Sequence, residues 1–294
     1  MKQNHLYLVY GASGAQGGAV ANRLLASGKK VRSITRKPEA AERLQSIGIE
    51  AVVGDMSDTK VLAQAHADVD RVFLNIPVEF DSAKVQTYID NAIEAAVNAK
   101  VELLVVNTGG FVPQHDTTNT LAVELNRQLI EDVKKSGLPY IIVEPIVYLE
   151  NFMIPGVLNE GVLAYPVPAD QKISWISLDD AAQYHVYALT HPELAGSIYA
   201  APGLEAYTGN EIAAKFSEVL GQEIQFVSLP FEHFEAAISP MLGSQNAEGL
   251  KGLYQWISSN IDKLPTFNEV DESLKDNLNL SSISDWIRVS FLKN

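Results

Sequence analysis

Leu6-Tyr7-Leu8-Val9-Tyr10-Gly11-Ala12-Ser13-Gly14-Ala15-Gln16-Gly17-Gly18, running on into Ala19–Leu25, is the stretch that decides the fold. Five strand-forming residues lead into Gly11-x-x-Gly14-x-x-Gly17, and a helical pattern with Val20, Leu24 and Leu25 on one face follows. Gly28 stands where that helix should stop. Glycines at this spacing permit a tight turn, close approach of a pyrophosphate to the backbone, and close helix–strand contact. The start of the helix then offers free N–H groups and a positive dipole end to phosphates. Gly11, Ser13, Gly14, Ala15, Gln16 and Gly17 are therefore candidate cofactor-binding residues.

Outward from this turn, short apolar runs alternate with helical patterns. Strands are expected at Val31–Thr35, Ile49–Val53, Arg71–Ile76, Leu103–Thr108 and Tyr140–Val143. Helices are expected at 39–47, from the Ser57 or Asp58 cap to 67, at 83–99 and at 120–135. Continuous apolar strands joined by helices imply a parallel sheet covered on both faces. The fold class is α/β, a doubly wound parallel sheet of the Rossmann type, with a smaller, mainly helical C-terminal part. The expected division is a cofactor-binding domain over 1–153 and a substrate or lid region over 154–294, with 172–200 folding back onto the first. Thr208 and Glu211 form a capping box, and helices are expected at 231–242, 247–259 and 281–292. Glu150–Tyr165, with Pro155, Gly156 and Gly161, reads as a short helix and loop, Lys172–Leu178 as a strand, and Leu264–Asp276 is polar and linker-like.

Composition narrows the chemistry. The 294 residues are 47% hydrophobic and 20% charged, ordinary for a globular protein, with no cysteine. Disulfides, thiolate metal sites and a cysteine nucleophile are excluded. The six histidines include no H-x-x-x-H pair, so no metal site is expected. A net charge of −14 opposes direct contact with nucleic acid and with anionic membranes. No run is long and apolar enough to span a bilayer, and Met1–His5 leads into the first strand without a signal layout. The expectation is a cytoplasmic protein, monomer or homodimer, acting on a small molecule.

The strand ends carry the rest of the candidate site. Ser33-Ile34-Thr35-Arg36-Lys37 has no acid where an NAD-selective site places one, and Arg36 lies nineteen residues after Gly17. A guanidinium there pairs with a 2′-phosphate, so NADP(H) is expected in preference to NAD(H). The alternative is a surface charge before Pro38, and Arg32 is a possible helper. Asp55 and Met56, after the third strand, are placed at the adenine, although a turn aspartate fits Asp55 equally. Asn75, Ile76, Pro77 and Thr108 end the next strands at the carboxyl edge, and Thr108 and Phe111 suit the nicotinamide region.

Together these residues resemble the NmrA-like group of atypical short-chain dehydrogenases/reductases. The resemblance covers most of the chain. It rests on the glycine turn, Arg36, Gly54-Asp55, Ser136-Gly137-Leu138-Pro139-Tyr140, Tyr148-Leu149-Glu150-Asn151-Phe152, Trp175–Ala182 and Leu278–Trp286. The group is similar in layout to NAD(P)H:quinone oxidoreductases and triphenylmethane-dye reductases, and to redox-sensing regulators. It implies a cleft between cofactor and C-terminal domains that holds a second ligand.

Departures from the wider pattern restrict the reaction. None of the eleven tyrosines has a lysine four residues on. Counting back from Ser136-Gly137, Glu131 matches a family glutamate, and Asn126 then occupies the position where relatives often carry a lysine. Glu144-Pro145 stands where their sixth strand usually ends in arginine. Asparagine supplies no titrating proton near neutrality. The expected function is an NADPH-dependent reductase that transfers hydride to a quinone-like or conjugated acceptor without a Tyr-x-x-x-Lys pair. The alternative is a non-catalytic NADP(H)-binding sensor. Phe111, Tyr148, Asn151 and Phe152 are the candidate substrate residues, with Phe231 as a further wall. Tyr148 and His115 are the candidate proton donors.

Overall fold

The computed structural model describes residues 5–114 and 117–292. Its contacts form two compact units. One takes in the described residues up to Val112, with Leu125–Glu144 and Ala182–Tyr199. The other takes in the described residues of 113–124, with Pro145–Ala181 and those from Ala200 on.

The chain begins with β1 (Leu6–Tyr10), α1 (Ala15–Ala26), β2 (Lys30–Thr35), α2 (Pro38–Ser46), β3 (Glu50–Val53) and α3 (Thr59–His66). It continues with β4 (Arg71–Asn75), α4 (Ser82–Ala99), β5 (Leu103–Asn107), α5 (Leu121–Lys135) and β6 (Tyr140–Pro145). Then come β7 (Val147–Tyr148), β8 (Leu158–Asn159), β9 (Val162–Tyr165), β10 (Trp175–Ile176), α6 (Leu178–Thr190) and β11 (Ile198–Ala201). The last elements are α7 (Gly209–Leu220), β12 (Gln225–Ser228), α8 (Phe231–Leu242), α9 (Ser244–Ser259), α10 (Glu272–Lys275) and α11 (Ile283–Ile287).

The main sheet has seven strands in the order β11-β6-β5-β4-β1-β2-β3. The pairings from β3 across to β6 are all parallel. This is the expected doubly wound sheet. Its strand order reverses between β1 and β4, and in such sheets the ligand crevice lies beyond the carboxyl ends at that point. The central strands are buried along almost their whole length, because helices cover both faces.

Local chemistry sets the helix limits. At the end of α1 the Lys29 N–H reaches the Leu24 carbonyl at 3.0 Å and the Gly28 N–H reaches Leu25 at 2.8 Å. This pair of bonds requires a left-handed residue after the cap, and Gly28 supplies it at φ +70°. Asp58 caps α3 by accepting the Lys60 and Val61 N–H groups. At the other end of β4, Arg71 donates to the Leu189 carbonyl, which ties the last turn of α6 to the sheet.

The other unit is held by aromatic rings that meet mostly edge to face. Phe152 packs against Tyr165, Trp175 and Phe216 with ring centroids 4.7–5.9 Å apart. Phe216 in turn meets Trp286 and Phe291. Glu150 accepts both the Leu178 N–H and the Trp286 indole N–H, so one half-buried carboxylate joins three segments. The expected capping box of Thr208 and Glu211 opens α7. Two sequence expectations fail here. Gly156–Tyr165, read as loop, carries β8 and β9, which with β12 make a small separate sheet. Leu264–Asp276 is not a linker, because Leu264, Val270 and Leu274 are buried and short helical turns join them. The strand expected over Lys172–Leu178 shortens to β10.

Gly17 carries a backbone approach too close for any side chain. A Cβ there would lie 2.4 Å from the Tyr10 carbonyl oxygen and 2.5 Å from Gly11 backbone atoms. Gly17→Ala is expected to cost about 3 kcal/mol or more, because backbone cannot yield as a flexible side chain does. Gly252→Ala in α9, where a Cβ meets nothing within 4 Å, should instead gain about 0.5–1 kcal/mol through helix propensity. Urea unfolding midpoints of the two variants would check the contrast.

Candidate dinucleotide site at the carboxyl edge of the sheet

Between β1 and α1 the chain turns at Gly11, with φ +72°, and Gly14 N–H closes the turn onto the Gly11 carbonyl at 2.9 Å. Gly14 is the residue before the first turn of α1. No side chain caps that helix, and its first turn carries no acid. Ser13, Gly14 and Ala15 are exposed, while Gly17 is buried against β1. The first-turn N–H groups therefore point to open space at the positive end of the helix. Such a cradle can receive a phosphate, since neither a capping side-chain oxygen nor a first-turn carboxylate of the helix competes for it.

Arg36, directly after β2, is exposed. It lines an open hollow of about 520 Å³ together with Asp55, Ser57, Asp81, Lys84 and Tyr88. Asp55 Oδ1 accepts the Ser57 N–H at 2.9 Å and the Ser57 hydroxyl at 2.7 Å, the turn role that its sequence context allowed. Partial burial works against its ionisation, but these bonds and the Arg36 charge outweigh it and hold the carboxyl below its usual range. Met56 beside it is buried, and its carbonyl accepts from Asn91. Arg32 is no helper to Arg36, because its guanidinium is bound to Glu50 and to the Ala65 and Ala67 carbonyls.

At the ends of β4 and β5 lies a group of side-chain amides. Asn107 Nδ2 donates to Gln16 Oε1 at 2.7 Å and to Asn75 Oδ1 at 3.0 Å, and its Oδ1 accepts the Gly109 N–H at 3.0 Å. Gln16 and Asn75 were expected at the site. Asn107, buried between them, was missed. Its one signal is a polar residue closing the otherwise apolar strand Leu-Leu-Val-Val. Ile76 and Pro77 follow Asn75, half-buried and exposed. Thr108 donates its hydroxyl to the Gly110 carbonyl at 2.6 Å, and its own carbonyl accepts from Asn126 Nδ2 at 2.8 Å. Asn126 thus braces the β5 edge, whereas Glu131 is exposed and faces Lys135. Phe111 is half-buried just beyond.

Glu144, next to last in β6, has its carboxyl buried, 2% exposed, with Oε1 lacking any hydrogen-bond partner. Burial pushes its pKa up to about 8, against the opposing pull of the Val112 N–H and the Lys134 and Arg127 charges. Near neutrality burial favours its protonated form over a counter-charge.

The remaining candidates belong to the second unit. Tyr148 is buried in β7 opposite Ile176. Asn151 donates to the Tyr254 hydroxyl, which is bonded to the Tyr165 hydroxyl. Phe152 lies in the aromatic core with its ring enclosed, 1% exposed. Phe231 is half-buried at the start of α8. His115 lies outside the described residues.

The model of the NmrA-like family matches residues 3–281. The chain belongs to the NmrA-like family. This NmrA-like chain is 27% identical over 256 residues to the NAD(P)H azoreductase of Xenophilus azovorans, covering 85% of this chain and 86% of that protein. Its fold resembles the triphenylmethane reductase of Citrobacter sp. complexed with NADP(H), with a TM-score of 0.79 and 19% identity over 98% of this chain and 100% of that one. It equally resembles the NADPH-dependent quinone oxidoreductase of Escherichia coli complexed with NADPH, at 0.79 and 20% over 97% and 99% of the two chains. Among the described residues, no helix is long and apolar enough to cross a membrane.

Glu144 gives a pH prediction with a definite sign. The folded chain keeps this proton to about pH 8, whereas the unfolded chain releases it near its ordinary 4.5. The associated stability is complete below about 4.5 and falls as pH rises to about 8. Buried His66, held down to about 4 by burial from an ordinary 6.5, acts oppositely, adding stability as pH rises through that range. Glu144→Gln removes only the first effect. Its urea midpoint should fall less than that of the wild type between pH 5.5 and 8.5; parallel profiles would contradict the assignment.

Proposed function

We propose that this chain is an NADPH-dependent oxidoreductase that reduces a quinone-like or conjugated small molecule. The observation that carries the reading is the uncapped α1 N-terminus behind Gly11 and Gly14, with the Arg36 hollow on the same sheet edge. The azoreductase relative supports the reaction class, since its name specifies NAD(P)H and an azo acceptor.

The residues fit the cofactor. Gly11, Ser13, Gly14, Ala15, Gln16 and Gly17 would receive the pyrophosphate, because a side chain at Gly14 would fill the space before the free N–H groups. Arg36 would meet the 2′-phosphate, and Asp55 and Met56 would flank the adenine. Asn75, Ile76, Pro77 and Thr108 would border the nicotinamide half. An exposed guanidinium after β2, with no acid beside it in the strand end, favours NADP(H) over NAD(H).

When bound, the nicotinamide supplies the hydride. The chain's own contribution is orientation. Thr108 and Asn126 hold the β5 edge in place, and neither is a titrating acid near neutrality. Quinones, azo compounds and cationic dyes suit such a site, because solvent can protonate the reduced product. Phe111, half-buried beyond the β5 edge, is the substrate-facing candidate of this unit.

The test is NADPH and NADH consumption across quinones, enals, azo dyes and triarylmethane dyes. Turnover favouring NADPH is expected. Arg36→Ala should weaken NADPH binding about tenfold or more while changing NADH little, since it removes a charge-assisted pair; equal losses would remove the 2′-phosphate role. Gly14→Val should fold, as a Cβ there meets only the Gly11 oxygen at 3.4 Å, yet lose cofactor binding. NADPH binding without turnover on any acceptor would favour the sensor.

A further inference from the structure

We propose that Lys84 is a second cation for the adenosine 2′-phosphate, held in reserve by Glu79 and released to the phosphate when the cofactor binds. The inference rests on the NADP(H) reading above and adds a residue and an exchange to it.

Lys84 lies in the first turn of α4 and lines the hollow opposite Arg36. Its ammonium is 2.6 Å from Glu79 Oε2 and 5.9 Å from the centre of the Tyr88 ring. The two partners are held very differently. Glu79 is anchored, because its Oε1 accepts the Phe80 N–H at 3.1 Å and the Asp81 N–H at 3.2 Å, and its side chain is only 15% exposed. Lys84 is 48% exposed on a flexible stem. Breaking the pair therefore leaves Glu79 with its two backbone donors, and the ammonium is free to swing.

Two carboxylates of the hollow, Asp55 and Asp81, are held by local hydrogen bonds, and Asp55 also faces the Arg36 charge. Asp55 is occupied by Ser57, and Asp81 Oδ1 accepts the Ala83 and Lys84 N–H groups that cap α4. Arg36 and Lys84 stand close enough that the guanidinium charge opposes protonation of the lysine, although the Glu79 bond dominates and raises its pKa. A phosphate monoester carries nearly two negative charges near neutral pH, against one for the Glu79 carboxylate. Placed between the guanidinium and the ammonium, it would satisfy both and relieve their repulsion. An adenosine without the 2′-phosphate offers nothing for which Lys84 would leave Glu79. Lys84 thus acts in specificity between the two cofactors, not in binding adenine as such.

Calorimetric titration with 2′,5′-ADP and 5′-AMP tests this on the full chain, with thermal melting to confirm folding of each variant. Lys84→Met is expected to weaken 2′,5′-ADP about tenfold and to leave 5′-AMP within about twofold. Glu79→Gln, which removes the holding charge, is expected to strengthen 2′,5′-ADP several-fold without strengthening 5′-AMP. Inorganic phosphate should not reproduce the Lys84 effect, since it lacks the adenosine that positions the ester; an equal effect would mark a general anion site and overturn the assignment. If the wild type does not prefer 2′,5′-ADP to 5′-AMP, the Arg36 reading fails and this one with it. If the wild type does, and Arg36→Ala abolishes the preference while Lys84→Met leaves it intact, only the role of Lys84 is overturned.

Discussion

The approach of α1 to β1 at Gly17 is the contact on which the rest of the site depends. With no Cβ, the helix sits against the Tyr10 and Gly11 backbone at a distance that no other residue permits. That closeness fixes where the first turn of α1 begins, and so where its free N–H groups point. The same constraint forces Gly11 into a left-handed turn, since the chain must reverse within a few residues. An anion cradle therefore arises from packing, before any side chain is chosen for binding.

Around that cradle the side chains bind and brace more than they exchange protons. Thr108 has its hydroxyl on the Gly110 carbonyl, and Asn126 has its amide on the Thr108 carbonyl. Asp55 is engaged by Ser57. The one strongly perturbed acid of this unit's strand ends, Glu144, is enclosed. An edge built in this way suits reactions in which the cofactor brings the chemistry and the protein brings position.

The sheet was legible in the sequence because its signals are local. Continuous apolar strands, glycine stops and side-chain caps each act within a few residues, and the element boundaries fall close to where those signals stand. The glycine turn was legible for the same reason. What escaped depends on distant partners. β9 is a short strand whose pairing with β12 joins residues some sixty positions apart, so nothing near Val162–Tyr165 announces it. Leu264, Val270 and Leu274 are too widely spaced to show a period, and only burial reveals their role. Asn107 reads as a strand end until Gln16 and Asn75 are seen on either side of it. Phe152 was read as a wall for a ligand, whereas its neighbours Tyr165, Trp175 and Phe216 come from three other segments and enclose it.

The amide group around Asn107 is also directional. A backbone N–H can only donate, so Gly109 obliges Asn107 to turn its oxygen inward. Both hydrogens of the Asn107 amide then face Gln16 and Asn75, whose oxygens must turn towards it. The NH₂ ends of Gln16 and Asn75 are left facing away from Asn107. One peptide group thereby sets the polarity of three side chains in series. It makes this stretch of the strand edge a donor surface, matched to carbonyl and phosphoryl oxygens without any formal charge.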